Sequence, residues 1–233
     1  LSLSKELVTI KRDVDLEVTI EGLEVESANQ EGLNAMYEEL EFRSWLNQKE
    51  NQPVIKEAKV DTNYELIINE KDLDKWIKKA NKAETVAFDT ETTGLDYMDV
   101  DLVGVSISTK PGEAAYIPFG HEKEEGMEQL SKKIVLERLK PLLEDSKNKI
   151  IGQNIKFDRN ILSQNGIKLG SIKQDTMLMS YVLDASATRH NLDALAKFYL
   201  DHKTTTFEEV AGKGVKQISF DQVPLRQAGN YAA

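Results

Sequence analysis

Hydrophobic and polar positions divide the chain of 233 residues into segments of different character. From residue 62 to the end, short apolar runs are interspersed with stretches in which apolar residues recur every three or four positions. Residues 47–61 are polar and lack either period, which predicts a linker. Residues 1–46 carry too few apolar positions to bury a core alone. We therefore predict three segments, 1–46, 47–61 and 62–233.

Within the first segment, polar and apolar residues alternate at 6–10 and again at 16–20. Alternation with a period of two is typical of a half-buried strand. A short helix is predicted next, from the apolar residues Leu33, Met36, Tyr37 and Leu40.

The third segment predicts an α/β domain. Strands are predicted at residues 64–68, 85–91, 102–108, 114–119 and 149–152. Helices are predicted after Asn69 and at residues 131–144, 157–164, 176–183 and 191–200. Three strands in succession indicate an antiparallel meander, and the helices that follow indicate a mixed sheet flanked by helices.

Composition narrows the classes of function. The formal net charge is −10, which argues against a broad nucleic-acid footprint, because phosphate binding usually depends on clustered Lys and Arg. An acidic nuclease remains possible where metal ions supply the positive charge, with a weak grip on the rest of the strand. No run of 18 apolar residues occurs, so no membrane partner is expected.

The metal-binding residue types in the chain favour carboxylate ligands. The chain has no cysteine and three histidines, which excludes disulfides, thiolate zinc sites and a cysteine nucleophile. Metal chemistry must therefore rest on carboxylates, which favours magnesium or manganese over zinc. The lack of cysteine also fits a reducing cytoplasm, and a cytoplasmic location is expected.

The most informative pair of carboxylates is Asp89 and Glu91. They lie in a predicted strand, where alternate side chains share a face, so they project in the same direction about 6.5–7 Å apart at the backbone. Two neighbouring acids at the end of an apolar strand resist ionisation, and a divalent cation removes that conflict. A solvated strand end is the alternative interpretation of an Asp-x-Glu sequence.

A third acid, Asp158, follows a second apolar strand and stands in or near the first turn of a helix. An acid there also fits a simpler role as partner of the helix dipole. Gln153 and Asn154, in the turn before it, can donate hydrogen bonds to a phosphate or a base.

These pieces resemble the 3′→5′ exonuclease domain of the bacterial DNA polymerase I family (family A). The resemblance rests on residues 88–92 (FDTET), 152–158 (GQNIKFD) and 229–233 (GNYAA), supported by 114–118 (AAYIP), 174–178 (QDTML) and 202–209 (HKTTTFEE). It implies a ribonuclease H-like fold for residues 62–233. Residues 1–46 are similar to the closing part of the family's 5′-nuclease domain.

The resemblance implies two-metal hydrolysis with Mg²⁺ or Mn²⁺ and assigns roles by motif. Asp89, Glu91 and Asp158 would hold the ions, and Tyr231 would orient the attacking water. The implied substrate is a single-stranded or frayed DNA 3′ end, with a polymerase domain after the chain and a 5′-nuclease domain before it. A monomer is expected. The contacts with DNA would come from Thr92, Leu95, Gln153, Asn154, Arg189 and Phe207.

The family pattern also places a fourth acid four residues after Tyr231, beyond Ala233. The sequence begins at Leu1 without an initiator Met. Both features suggest a piece of a longer protein, whose activity is expected to be impaired without the last acid. Two alternatives stay open: a non-catalytic module that binds DNA or braces a polymerase, and an RNA-trimming relative with the same motifs. Leu95 and Phe207 also fit ordinary core positions.

Overall fold

The computed structural model describes residues 2–15, 22–23, 27–40, 42–46, 62–147 and 149–233. The chain forms two compact units, Leu1–Val54 and Ile55–Ala233. The predicted linker at 47–61 and the strand predicted at 16–20 lie outside the described residues. Among the helices that are described, none is both long and apolar enough to cross a membrane.

The described residues of the first unit form three short helices, α1 (Ser2–Val8), α2 (Gln30–Glu39) and α3 (Arg43–Leu46). The alternation at 6–10 does not mark a strand, since residues 6–8 are the end of α1 and residues 9–10 belong to no strand. A helix satisfies its backbone hydrogen bonds internally, whereas a strand needs a partner strand. The described part of this unit contains no strand that could pair with it. None of the unit's described residues is buried.

The helix predicted from Leu33, Met36, Tyr37 and Leu40 is confirmed as α2. Asn29 caps it, and its side chain accepts a hydrogen bond from the backbone N–H of Gly32 at 3.0 Å. Tyr37, Phe42 and Trp45 form a small aromatic cluster, with ring centroids 5.1 to 6.4 Å apart.

The second unit is an α/β domain. Its strands are β1 (Asn63–Leu66), β2 (Val86–Thr92), β3 (Leu102–Lys110), β4 (Glu113–Pro118), β5 (Ile150–Gly152) and β6 (Ile172–Asp175). Its helices are α4 (Glu70–Ala80), α5 (Lys132–Glu144), α6 (Ile155–Gln164), α7 (Thr176–Leu183), α8 (Leu192–Leu200), α9 (Phe207–Ala211) and α10 (Leu225–Ala232). Two 3₁₀ turns, Gly214–Lys216 and Phe220–Gln222, precede α10.

These strands form one mixed sheet in the order β1-β4-β3-β2-β5-β6. The predicted meander is confirmed, because β2 pairs with β3, and β3 with β4, in antiparallel fashion. The outer pairs β1·β4, β2·β5 and β5·β6 are parallel. Parallel neighbours need crossover connections, and helices α4, α5 and α6 provide them.

The two faces of the sheet bury different clusters. On one face, strand residues such as Phe88 and Ile107 pack against α4, α5 and α6 through residues such as Trp76, Leu139 and Leu162. On the other face, a smaller cluster covers the meander. The strands contribute Val103 and Tyr116, and the chain from α9 to α10 contributes Ala211, Phe220, Val223 and Ala228. The second cluster lies on the face to which Asp89 and Glu91 project.

Two local predictions need correction. Strand β6 was not predicted, because Ile172 is its only apolar residue and most of it is exposed. The third helix of the domain begins at Ile155 rather than at residue 157. Asn154 before it is left-handed (φ 57°, ψ 39°), a conformation that asparagine tolerates better than most residues and that turns the strand directly into the helix.

Candidate active site

Strand β2 sorts its side chains by face. Val86, Phe88 and Thr90 are buried, while Asp89 and Glu91 are partly buried and point to the opposite face. The two acids therefore share a face, as the alternation of a strand requires. Their partners across the antiparallel pairing are Ser106 and Gly104 on β3.

Asp158 lies beside the same strand. Its Oδ1 accepts hydrogen bonds from the backbone N–H of Thr90 at 2.9 Å and from the Thr90 hydroxyl at 2.6 Å. Strand β5 pairs with β2 only at Val86 and Ala87 and then gives way to α6. The carboxylate thus satisfies an N–H that a longer β5 would otherwise have bonded.

The site raises the pKa values of all three acids. Burial, together with the charge of Asp158, raises the pKa of Asp89 to about 7. Burial and then the charges of Asp89 and Asp158 raise the pKa of Glu91 well above its ordinary value. Burial raises the pKa of Asp158 to about 6, although the hydrogen bonds from Thr90 oppose the shift. Mutual repulsion and desolvation thus disfavour the charged forms.

Within the described residues, no Lys or Arg forms an ion pair with Asp89, Glu91 or Asp158. The same residues contain no group of three His, Asp or Glu side chains already arranged as metal ligands. The negative charge of the site is therefore left without a cation from the described chain.

A cleft of about 400 Å³ opens beside these acids. It is lined by Asp89, Thr90, Leu95, Gln153, Asn154, Phe157 and Asp158. Five of these are predicted site residues from two distant parts of the sequence. A larger groove of about 860 Å³ follows α4 and is lined by Lys and Asp residues, none of which belongs to the predicted site.

The side chains predicted to contact DNA differ in how exposed they are and in whether they already form hydrogen bonds within the protein. Leu95 is 91% exposed, so it is not a core residue. Asn154 and Arg189 are exposed, and their side chains have no hydrogen bond or ion pair with the described residues. Gln153 uses both ends of its carboxamide, since Nε2 donates to the carbonyl of His190 at 2.7 Å and Oε1 accepts from Thr176. Thr92 donates to the carbonyl of Gly94 at 2.7 Å, within its own turn.

Tyr231 and Phe207 belong to the second cluster. Both are partly buried, their ring centroids are 6.3 Å apart, and each also packs near Phe220. The ordinary packing role is therefore observed for Phe207. Burial, and then the charges of Glu91 and Asp89, raise the pKa of the Tyr231 phenol above its ordinary value.

Sequence reasoning missed two residues of the site. Thr90 stands between Asp89 and Glu91 but was not assigned a role, because its contact with Asp158 spans 68 positions. Asp175 ends β6, and its carboxylate accepts from the N–H groups of Asn154 and Ile155 at 3.1 and 3.0 Å. The only signal for Asp175 was its place in the supporting motif at residues 174–178.

Comparisons with known proteins agree with this geometry. The sequence model of a family described as 3′-5′ exonuclease matches residues 64–233. The DNA polymerase I of Pseudomonas aeruginosa is 45% identical over 241 residues, which cover 99% of this chain and 26% of that protein. The DNA polymerase I of Rhizobium leguminosarum is 39% identical over 178 residues, covering 69% of this chain and 17% of that protein.

The chain therefore spans about a quarter or less of the length of these two relatives. Among solved structures, the RNase D of Trypanosoma brucei superposes with a TM-score of 0.54 at 12% identity, covering 75% of this chain and 66% of that one. At this identity the likeness concerns the fold, which is the ribonuclease H-like arrangement of a mixed sheet with flanking helices. The match of residues 64–233 to the family model shows that this chain belongs to the 3′-5′ exonuclease family.

Proposed function

We propose that the chain removes nucleotides from the 3′ end of single-stranded or frayed DNA by hydrolysis that depends on Mg²⁺ or Mn²⁺. One observation carries the proposal. The contact between Asp158 and Thr90 brings an acid from a separate part of the sequence to the strand that holds Asp89 and Glu91. Three partly or fully buried carboxylates without a cationic partner in the described chain form a site that needs a bound cation.

The donor set fits such a cation. Carboxylate oxygens are the ligands that Mg²⁺ and Mn²⁺ prefer, and the described residues nearest the cleft include no cysteine or zinc-type cluster. The raised pKa values of Asp89 and Glu91 mean that the two ionised carboxylates are unfavourable side by side unless a cation binds between them. We assign the two ions of the family mechanism to Asp89, Glu91 and Asp158.

In the proposed reaction, a water attacks the phosphorus of the last phosphodiester and the bond from phosphorus to the 3′ oxygen breaks. That oxygen takes up a proton, and the product is a nucleoside 5′-monophosphate. The bound ions would supply a deprotonated water and would offset the charge on the leaving oxygen. The chain's part is to hold the three carboxylates in place, and Thr90 fixes the one that comes from α6.

Tyr231 is proposed to orient the attacking water. Its pKa is raised above the ordinary value by burial and by Glu91 and Asp89, so the phenol stays protonated at working pH. A protonated phenol can donate to one acceptor and accept from the water. It therefore serves as a positioning group and not as the base.

The strand would lie along the cleft. Exposed Leu95 is proposed to pack against the terminal base, with Phe207 beside it at the edge of the second cluster. The free carboxamide of Asn154 and the guanidinium of Arg189 are proposed to contact the backbone or phosphates. Thr92 and Gln153, whose side chains are engaged within the protein, are assigned to the 3′ hydroxyl and the rim.

The proposal of DNA as substrate rests on the two relatives, both of which are DNA polymerases I. On the same ground we propose that this domain works beside a polymerase domain that follows it and a 5′-nuclease domain that precedes it. Residues 1–46 would be the closing part of the latter. Comparing release from DNA and RNA ends of equal sequence tests this part of the proposal, and faster release from RNA would contradict it.

The metal site is tested first by binding. Calorimetric titration with Mn²⁺ is expected to show binding to the unaltered chain and strong weakening in Asp158→Asn, which keeps the contact with Thr90 but removes the charge. Glu137→Gln on α5 is the matched control, since Glu137 is an exposed carboxylate whose nearest partner is Lys133 at 4.0 Å. Equal Mn²⁺ affinity in all three proteins would refute the site.

Activity is tested on a 5′-labelled single strand. The family pattern implies one more acid four positions after Tyr231, so the chain is extended through that position with either Asp or Ala. The Asp form is expected to release mononucleotides at least about a hundredfold faster than the Ala form, by analogy with the loss of one pre-organised charged group. If both forms bind Mn²⁺ yet neither degrades DNA, the non-catalytic alternative is favoured.

A further inference from the structure

Asp175 joins the starts of two helices, α6 and α7. It is the last residue of β6, opposite Gly152 on β5, and it is the N-cap of α7. Its Oδ1 accepts from Met177 N at 2.9 Å and from Leu178 N at 3.3 Å. The side chain is buried, with 8% of the residue exposed, and no Lys or Arg of the described chain pairs with it.

The same carboxylate reaches the start of α6. Oδ1 also accepts from Asn154 N at 3.1 Å, and Oδ2 accepts from Ile155 N at 3.0 Å. Oδ1 is shared among three N–H groups and Oδ2 bonds the fourth, and both helix dipoles present their positive ends to the carboxylate. One buried charge is thereby held by the free N–H groups of two helices.

Helix α6 depends on this arrangement because it lacks an ordinary cap. Its N-cap residue, Asn154, is left-handed and makes no side-chain capping bond. A non-glycine residue in that region is strained and persists only where the surroundings fix it. The bonds from Asp175 to the backbone of Asn154 and Ile155 fix the turn and replace the missing cap.

The fixed turn determines where Asp158 lies. Asp158 follows Ile155 by three residues, one helical turn, so the start of α6 sets the direction in which its carboxylate leaves the helix. That carboxylate must meet both donors of Thr90. A small rotation of α6 would break this geometry, and with it the approach of Asp158 to Asp89.

We propose that Asp175 is a positioning residue for the catalytic site: it holds the β5–α6 turn so that Asp158 stays against Thr90, without itself lining the cleft. This inference rests on the proposed function, since it concerns the same carboxylates. It assigns Asp175 no direct contact with metal or DNA.

The test removes one of the four hydrogen bonds that Asp175 accepts, the one from Ile155 N, while the three on Oδ1 can remain. In Asp175→Asn the remaining oxygen can still cap α7, because asparagine is as good an N-cap as aspartate, but an NH₂ group replaces the acceptor that faces Ile155 N. The control is Asn69→Ala, which removes the N-cap of α4, where Asn69 Oδ1 accepts from Asp72 N at 3.0 Å; α4 carries none of the site residues.

Two readouts are taken on each protein. Amide hydrogen exchange at Thr90 is expected to speed up in Asp175→Asn and to stay as in the unaltered chain in Asn69→Ala. Mn²⁺ affinity is expected to fall about 10- to 100-fold in Asp175→Asn, as for other groups that orient metal ligands, and to stay unchanged in the control. A fall in both variants would indicate a general loss of stability and would overturn the proposal.

Unchanged Mn²⁺ affinity and Thr90 exchange in a folded Asp175→Asn protein would also overturn it. If that variant does not fold, Asp175→Ser replaces it, because serine caps α7 while its single short hydroxyl cannot reach Ile155. Failure of the proposed function looks different: the unaltered chain and Asp158→Asn would then both lack Mn²⁺ binding, while exchange at Thr90 would still report on the turn.

Discussion

At the scale of single residues, Thr90 connects the two halves of the candidate site. Its side chain faces the buried side of β2, away from Asp89 and Glu91, and its hydroxyl and N–H both donate to Asp158. A hydrogen bond to a charged group contributes more than one between neutral groups. Thr90 therefore stabilises the ionised form of Asp158 and orients it.

We predict that Thr90→Val, which keeps the shape but removes the hydroxyl, lowers the free energy of unfolding by about 2 kcal/mol. It should also weaken Mn²⁺ binding about tenfold, because one ligand loses its orienting donor. Chemical denaturation and calorimetry measure the two effects. Thr90→Ser keeps the donor and should bind Mn²⁺ like the unaltered chain; equal weakening in both variants would mean that shape, not the hydroxyl, matters.

Asp89 makes the stability of the metal-free protein depend on pH. Its folded pKa of about 7 lies above its ordinary value of 3.8, so the folded protein binds the proton more tightly than the unfolded chain does. The free energy of unfolding therefore falls as pH rises from about 4 to about 7 and stays low above that range. Glu91, whose pKa is also raised, acts in the same direction.

We predict that Asp89→Asn raises the metal-free stability at pH 8 by on the order of 2 kcal/mol, because it removes a charge that the fold disfavours. At pH 4, where Asp89 is already protonated in the fold, the gain should nearly vanish. Thermal unfolding in chelator at both pH values measures this. Glu137→Gln should show no such dependence, and a destabilised Asp89→Asn at pH 8 would contradict the prediction.

At the scale of elements, the pairing of β2 with β3 determines which side chain packs beneath Glu91. The register shifts after the pair of Glu91 and Gly104, so that Thr92 faces Leu102 and Val103 is the extra residue of a bulge. Gly104 admits the ring of Tyr116 from β4, since a Cβ there would lie 2.3 Å from the Tyr116 hydroxyl. Without a side chain at 104, Tyr116 fits beneath the site.

We predict that Gly104→Ala costs about 1–3 kcal/mol in the free energy of unfolding, the usual range for overpacking a closed core. The urea midpoint should fall without a change in slope. Ser108→Ala on the same strand is the control and should stay within about 0.5 kcal/mol of the unaltered chain, because Ser108 is only partly buried and bonds the nearby Lys110 carbonyl. An unchanged midpoint for Gly104→Ala would show that Tyr116 has room to move.

At the scale of the whole molecule, charge limits how the domain can hold nucleic acid. The net charge is −10, and no Lys or Arg is among the residues lining the cleft. Affinity for a single strand falls with salt in proportion to the phosphates that cations neutralise. The proposed binding should therefore depend weakly on salt and strongly on the divalent cation.

We predict that log K for a single strand falls with log[KCl] with a slope no steeper than about −2. Arg189→Ala should make the slope shallower by about 0.7, the share of one phosphate contact. Anisotropy of a labelled strand with a phosphorothioate at its last linkage measures binding without hydrolysis. Lys133→Ala on α5 should leave the slope unchanged, and an unchanged slope in Arg189→Ala would remove Arg189 from the interface.

The amino-acid sequence alone determined most of the elements and the acids of the candidate site. Strand alternation placed Asp89 and Glu91 on one face, and motif order indicated the family. Helical spacing gave the start of α4 and the bounds of α5 to α8 to within two residues, but neither α9 nor α10. These features are local, because they depend on residues within a few positions of one another.

Tertiary structure alone decided which residues from distant parts of the sequence are in contact. The bond from Thr90 to Asp158, the link from Asp175 to the start of α6 and the fit of Tyr116 against Gly104 join residues that are far apart in the sequence or on different strands. Strand β6 also exists only because β5 offers it a partner. No period or local propensity encodes such contacts, since they form only when the sheet brings distant segments together.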